Sequence, residues 1–245
     1  MAIKPRKLFR IIWFSLVAVF FIWQYRTYQA RDLPKNTFTS NHKITVTETA
    51  DQIIFKPTTS TFKNEIIFFQ GGLVDPEAYA PLCRNIAKQG FTCHLIKMNW
   101  RMPVWDYNKI KTLFNLPEGH YILGGHSQGG KMAAQFVYEN PGVLKGLFLI
   151  GTSHPRDIDL SNRTLPTLKL YGALDGLASV PEVIENKDKL PKNTQLIELP
   201  GANHSQFGYI GKLLTDNDAA ISRGKQQELT LKYLIAFFKT VENGT

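Results

Sequence analysis

The chain has 245 residues, 43% of them hydrophobic and 20% charged, a balance that excludes a disordered or low-complexity protein and suits one globular core. Its net charge of +9 comes from scattered basic residues, with no basic helix and no Arg-rich run interleaved with aromatics, so no nucleic-acid partner is expected. A basic surface beside anionic lipid or an anionic cell wall accounts for the charge equally well.

Residues 11–25 (IIWFSLVAVFFIWQY) carry no charge and follow Lys4, Arg6, Lys7 and Arg10. At about 1.5 Å per residue this run reaches about 22 Å, short of a hydrocarbon core of about 30 Å unless Arg10 and Arg26 snorkel. Trp13, Trp23, Tyr25 and Tyr28 sit toward the ends, where amphipathic rings favour the interface. A cleaved signal peptide is the rival, but Tyr28 would fill a slot that needs a small side chain. Residues 1–25 are therefore expected to be a retained signal anchor, a single transmembrane helix with its N-terminus cytoplasmic. Residues 26–42 read as a polar tether, and 43–245 as the folded domain, extracytoplasmic at the cell membrane.

Within that domain, strand-like runs at 44–47, 53–56 and 65–70 lead to Gly71 and Gly72. Helical spacing over 76–88 stops at Gly90; a strand is expected at 91–98, a helix at 105–114 and a strand at 121–126. Then come a helix at 128–140, strands at 146–150 and 167–171, a helix at 181–189, a strand at 195–199 and an amphipathic helix from about 221 to 241. This alternation predicts an α/β fold, a mostly parallel sheet with helices on both faces and its site at the carboxyl ends of the strands. Cys83 falls on one of these helices and Cys93 on the next strand, a spacing too wide for a disulfide, so both are expected as buried free thiols.

The string GGHSQGG at 124–130 contains G-x-S-x-G centred on Ser127, between a strand and a helix. Alone the motif is weak; in that context a sharp turn exposes the serine, and the flanking glycines let the neighbouring backbone pass. A serine hydroxyl needs a base, and His204, in the loop PGANHSQFG after the last strand, is the choice among six histidines; His126 is expected to pack. The base needs a carboxylate on its far nitrogen, and Asp175 follows a strand in YGALDG. The N–H of Gln128 would point at a developing oxyanion, with a second donor from Gly72 or Leu73. Trp105, His154, Phe207 and Tyr209 are candidates for the substrate pocket. No His, Asp and Glu cluster has metal-ligand spacing, so neither metal nor cofactor is expected.

QGGLVDPEAYAPL (70–82), GGHSQGG, YGALDG (171–176) and GANHSQFGYIG (201–211) together resemble the α/β-hydrolase superfamily, and within it the small bacterial membrane-anchored branch known as alpha/beta hydrolase fold-5. The likeness runs from about residue 65 to the C-terminal helix and departs at 211–220, where Leu213 and Leu214 replace a more polar Gly-rich run. It implies the α/β-hydrolase fold, Ser127, Asp175 and His204 as a triad, and a hydrolase of undefined substrate. Only about 15 residues separate two strands where lipases of this fold insert a lid, so no substantial lid domain is expected. An open site suits small or polymeric esters, including those of a wall or surface polymer. The Asn203-His204-Ser205 glycan acceptor would obstruct the base, which favours a bacterial surface of Gram-positive type. The expected function is a serine carboxylesterase. The alternatives are an acyltransferase using the same triad and a catalytically silent surface binding protein.

Overall fold

In the computed structural model, which describes residues 4–244, eight strands form one sheet: β1 Ile44–Glu48, β2 Gln52–Pro57, β3 Glu65–Phe69, β4 Cys93–Ile96, β5 Tyr121–His126, β6 Gly146–Ile150, β7 Thr167–Gly172 and β8 Gln195–Leu199. Their spatial order is β1-β2-β4-β3-β5-β6-β7-β8. The pairs β1–β2 and β2–β4 are antiparallel and all others parallel. The mostly parallel α/β architecture expected from the alternating elements is the one observed. The helices are α1 Pro5–Thr27, α2 Ala80–Lys88, α3 Pro103–Asp106, α4 Ile110–Leu113, α5 Gln128–Glu139, α6 Val180–Glu185 and α7 Arg223–Asn243.

Both faces of the sheet are apolar because both are covered. On one face Ile66, Phe68, Phe148 and Leu170 pack beneath α2 and α7 with Phe91, Phe237 and Phe238. On the other, Ile67, Phe69, Leu123, Leu147 and Leu149 pack beneath α5 with Met132, Ala133 and Phe136. The period of two along each strand thus divides apolar residues between two cores. Burying an aromatic side chain such as Phe68 contributes about 1.5–3 kcal/mol, so truncating any of them weakens the scaffold of the strand ends.

Several expected helices are shorter than their periodicity suggested. The 105–114 segment breaks into α3, a 3₁₀ turn at Tyr107–Lys109 and α4, and α6 gives way to a 3₁₀ turn at Lys187–Lys189. Between β6 and β7, residues 151–166 hold neither helix nor strand, so no lid domain covers the sheet there. Cys83 and Cys93 are both free and buried, and burial, followed by the adjacent Cys83 thiol, holds Cys93 well above the usual thiol range.

The N-terminal helix is longer than its uncharged run. At 23 residues α1 reaches about 35 Å, enough to cross a core of about 30 Å, and its most apolar stretch has a mean hydropathy of 1.7 with none of it buried in the fold. The first three residues of the expected anchor and the last residue of the expected domain lie outside the described residues. The segment read as a tether is stitched to the domain instead. Gly211 N–H donates to the Thr27 carbonyl (2.9 Å), Asp75 N–H to that of Tyr28 (3.0 Å), and Arg31 N–H to that of Tyr209 (2.9 Å). Local sequence could not show this, because each partner is remote in the chain.

Candidate active site

The chain turns from β3 to β4 on one side and from β5 to β6 on the other, so the topological switch lies between adjacent strands β3 and β5. Such a switch opens a crevice at the carboxyl edge of the sheet. Gly72 follows β3 and Ser127 follows β5, which sets both at this crevice.

Ser127 has φ 53° and ψ −121°, a conformation that costs an L-residue about 1–3 kcal/mol. Two glycines make the turn possible. A Cβ on Gly125 would lie 2.4 Å from the Phe69 carbonyl oxygen, and one on Gly129 would lie 2.3 Å from that of Gln70. The turn is tied to the sheet by Ser127 N–H donating to the Ile150 carbonyl (2.9 Å). Ser127 precedes α5, yet its side chain does not cap that helix, so the hydroxyl of this partly buried residue is left for other chemistry.

Asp175 and His204, remote in sequence, meet in space. Their side chains are 0% and 2% exposed, and His204 Nδ1 lies 2.9 Å from Asp175 Oδ2 and 3.1 Å from Oδ1. Asp175 Oδ1 also accepts from the backbone amides of Leu177 (2.8 Å) and Ala178 (2.7 Å), which fixes the carboxylate. With Nδ1–H donated to Asp175, Nε2 carries the lone pair that a base requires. Neither Ser127 Oγ nor His204 Nε2 is among the buried polar atoms without a partner, although the His204 side chain is only 2% exposed. No hydrogen bond joins Ser127 Oγ to the His204 ring in this structure; such bonds commonly tighten only with substrate bound.

Gly72 packs against Gln128, whose Oε1 lies 2.8 Å from where a Gly72 Cβ would be. The backbone amides of Gly72 and Gln128 donate to no acceptor among the described residues, and the latter opens α5, where the helix dipole favours negative charge. The two amides are thus free to receive a developing oxyanion. Leu73 differs: its amide donates to the Arg101 carbonyl (2.7 Å), so of the two residues considered after β3, Leu73 is corrected to a structural role.

His126 packs against the site, with its ring centroid 4.4 Å from that of His204. Tyr79 Oη accepts from Gly71 N–H (3.2 Å) and donates to His126 Nδ1 (2.8 Å), which leaves the ring proton on Nε2. Burial, followed by the neighbouring His204, holds His126 well below the usual histidine range, so it stays neutral beside the His204 ring.

The expected pocket residues fare unevenly. Phe207 is 1% exposed and packs under the His126 ring; it belongs to the core and does not line an open pocket. Tyr209 carries Arg223 over its ring (5.3 Å) and binds the segment after α1 through its carbonyl. His154 is buried, and burial, then Lys131 and Arg156, pulls its ring down to about 4. Trp105 stands exposed on α3.

Sequence reasoning missed Asp216. This buried carboxylate accepts from the amides of Gly176 (3.1 Å), His204 (3.2 Å) and Asn217 (3.0 Å) through Oδ1, and from the Ser205 amide (2.7 Å) and hydroxyl (2.6 Å) through Oδ2. It therefore joins the loop that carries Asp175 to the loop that carries His204. Gln226 of α7 braces the same loop, with its amide group bonded to both backbone groups of Asn203 (3.1 and 2.7 Å). Asp216 lies in the 211–220 stretch that departs from the family pattern, and no period or motif marks it. Among the described residues, no group of three or more His, Cys, Asp or Glu side chains is arranged to hold a metal ion.

Comparison with known proteins agrees with the topology. No curated protein sequence matches the chain. Among solved structures it is similar to TT1662 from Thermus thermophilus, at 14% identity and a TM-score of 0.55, covering 81% of this chain and 98% of that one. It is also similar to a predicted CIB-like hydrolase from Thermoplasma acidophilum, at 16% identity and a TM-score of 0.54, covering 79% and 99%. At such identities these two likenesses speak for the fold alone. The sequence itself matches the alpha/beta hydrolase family over residues 65–228, from β3 through the loop of Ser127, the Asp175–His204 pair and into α7. The chain belongs to the alpha/beta hydrolase family.

Proposed function

We propose that the chain is a membrane-anchored serine hydrolase that cleaves carboxylic esters through an acyl-enzyme on Ser127, with its domain on the extracytoplasmic side. The observation that carries this reading is the buried Asp175–His204 pair, set at the same carboxyl edge of the sheet as a serine in a strained turn whose side chain does not cap the helix that follows. In the first step His204 Nε2 takes the Ser127 proton as Oγ attacks the ester carbonyl carbon. The oxyanion is received by the Gly72 and Gln128 amides; loss of one such donor typically costs about 10²–10³-fold in rate. Collapse expels the alcohol, which leaves with the proton from His204. Water, deprotonated in turn by His204, then releases the carboxylic acid.

Anchoring is supported by the length, hydropathy and exposure of α1. Its orientation is supported by Lys4, Arg6, Lys7 and Arg10 ahead of the apolar run, which keep the N-terminus cytoplasmic. A fluorophosphonate probe on the purified full-length chain tests the chemistry. Labelling of the wild type and none of Ser127→Ala is expected; a folded wild type that resists the probe points to a binding protein instead.

A further inference from the structure

The chemistry above leaves the surface beside Gly72 unexplained. Trp100 is 85% exposed and Trp105 70%, with Val104 exposed between them and Leu73 exposed beside the Trp100 loop, which it joins through the Arg101 carbonyl. Single exposed apolar residues are ordinary, but a group of this size on one rim marks a contact surface. Leu73, Trp100 and Arg101 all lie in the left-handed region, at φ 62°, 55° and 56°, which L-residues seldom adopt. The strain is held by the bond from Leu73 N–H to the Arg101 carbonyl and by the Arg101 guanidinium, which reaches Asp75 (3.0 Å) and Gln29 (3.0 Å). The fold thus spends backbone strain to hold Trp100 outward.

The end of α1 faces this rim. A groove of about 630 Å³ runs between Phe21, Tyr25 and Tyr28 on one side and Leu73, Trp100 and Arg101 on the other. Its far wall is the apolar helix, and Phe21 lies about 9 Å along the axis from the docked Thr27, on the side of the hydrocarbon. Its near wall is Leu73, next to Gly72, which touches Gln128, the neighbour of Ser127. The groove thus runs from the apolar helix to Leu73, one residue along the chain from the candidate oxyanion donor Gly72.

We infer that this groove draws a long-chain acyl ester from the bilayer that α1 crosses, bringing its carbonyl to the Gly72 and Gln128 amides while its tail lies along Tyr25 and Trp100. The substrate class is an amphiphilic carboxylic ester with at least one long acyl chain. The inference rests on the anchored-esterase reading and narrows its substrate. Anchor and Trp100 loop together supply the apolar cover that the short 151–166 connection does not. The covalent steps are those already given: Ser127 Oγ bonds to the acyl carbon, the alcohol leaves with the proton from His204, and water releases the fatty acid.

The test uses the full-length chain in vesicles of phosphatidylcholine and phosphatidylglycerol, with p-nitrophenyl butyrate and p-nitrophenyl palmitate as substrates. Trp100→Ser and Tyr25→Ser are each expected to lower the palmitate-to-butyrate ratio of kcat/KM about ten-fold or more, and Trp100→Phe to restore most of it. A ratio unchanged in both serine variants, or a wild type that cleaves butyrate but not palmitate, overturns the groove and leaves the esterase standing. A wild type that cleaves neither ester removes the esterase reading and this inference with it.

Discussion

The two sides of the crevice are built on opposite principles. Around His204, two buried carboxylates are held by directional contacts: Asp175 is fixed by two amides, and Asp216 by four amides and a hydroxyl. Around Leu73 and Trp100 the side chains are exposed, the backbone is strained, and the neighbours are the end of an apolar helix. The first side fixes its loops by directional bonds, the kind of rigidity that proton transfer demands. The second offers area without directional contacts, which suits selection of an apolar group by burial. Reaction and selection can therefore be damaged separately.

The largest effects belong to the rigid side. His204→Ala and Asp175→Asn are each expected to lower ester turnover about 10³-fold or more with the fold intact by circular dichroism. Turnover near the wild-type level in either variant breaks the contrast at its root. Asp216→Asn comes next. Its amide group would turn a donor toward amides that need an acceptor, loosening both loops, and a fall in kcat of about 10²-fold with KM little changed is expected. A rise in KM alone would instead assign Asp216 to the binding surface.

The smallest effect concerns the scaffold beneath. Lys169 of β7 is fully buried, and its ammonium donates to the His154 carbonyl (2.8 Å). Burial pulls it down to about 7 from its ordinary 10.5. Between those two values the unfolded chain holds a proton that the native chain lacks, so stability rises with pH across that window, and the penalty is complete below about 7. Lys169→Met is therefore expected to raise the unfolding free energy from urea titration more at pH 6 than at pH 10, by an amount on the order of a few kcal/mol at most. Equal shifts at both pH values would show that the amine is not held neutral by its surroundings.

How much of this could be read from residues alone follows the same division. Strand–helix alternation and the GGHSQGG, YGALDG and GANHSQFG strings each mark a local turn, and local turns carry Ser127, Asp175 and His204 to one sheet edge. Asp216 left no trace because a buried carboxylate bonding backbone amides needs only an Asp in a loop, and the chain has many. The polar run after α1 reads as a tether by composition, yet three backbone bonds to Asp75, Tyr209 and Gly211 stitch it down. Backbone bonds are blind to side-chain identity, so no sequence pattern announces them. Phe207 failed as a pocket residue for a related reason: an aromatic near a base can face the crevice or the core, and only packing decides.

On the proposed mechanism Ser127 owes its nucleophilicity to His204, and the rate at which a fluorophosphonate labels the serine reads this directly. With the full-length chain, labelling of His204→Ala at neutral pH is expected to be slower than wild type by about 10³-fold, while Ser127→Ala takes no label. Equal labelling rates for wild type and His204→Ala would mean that the histidine does not activate the serine.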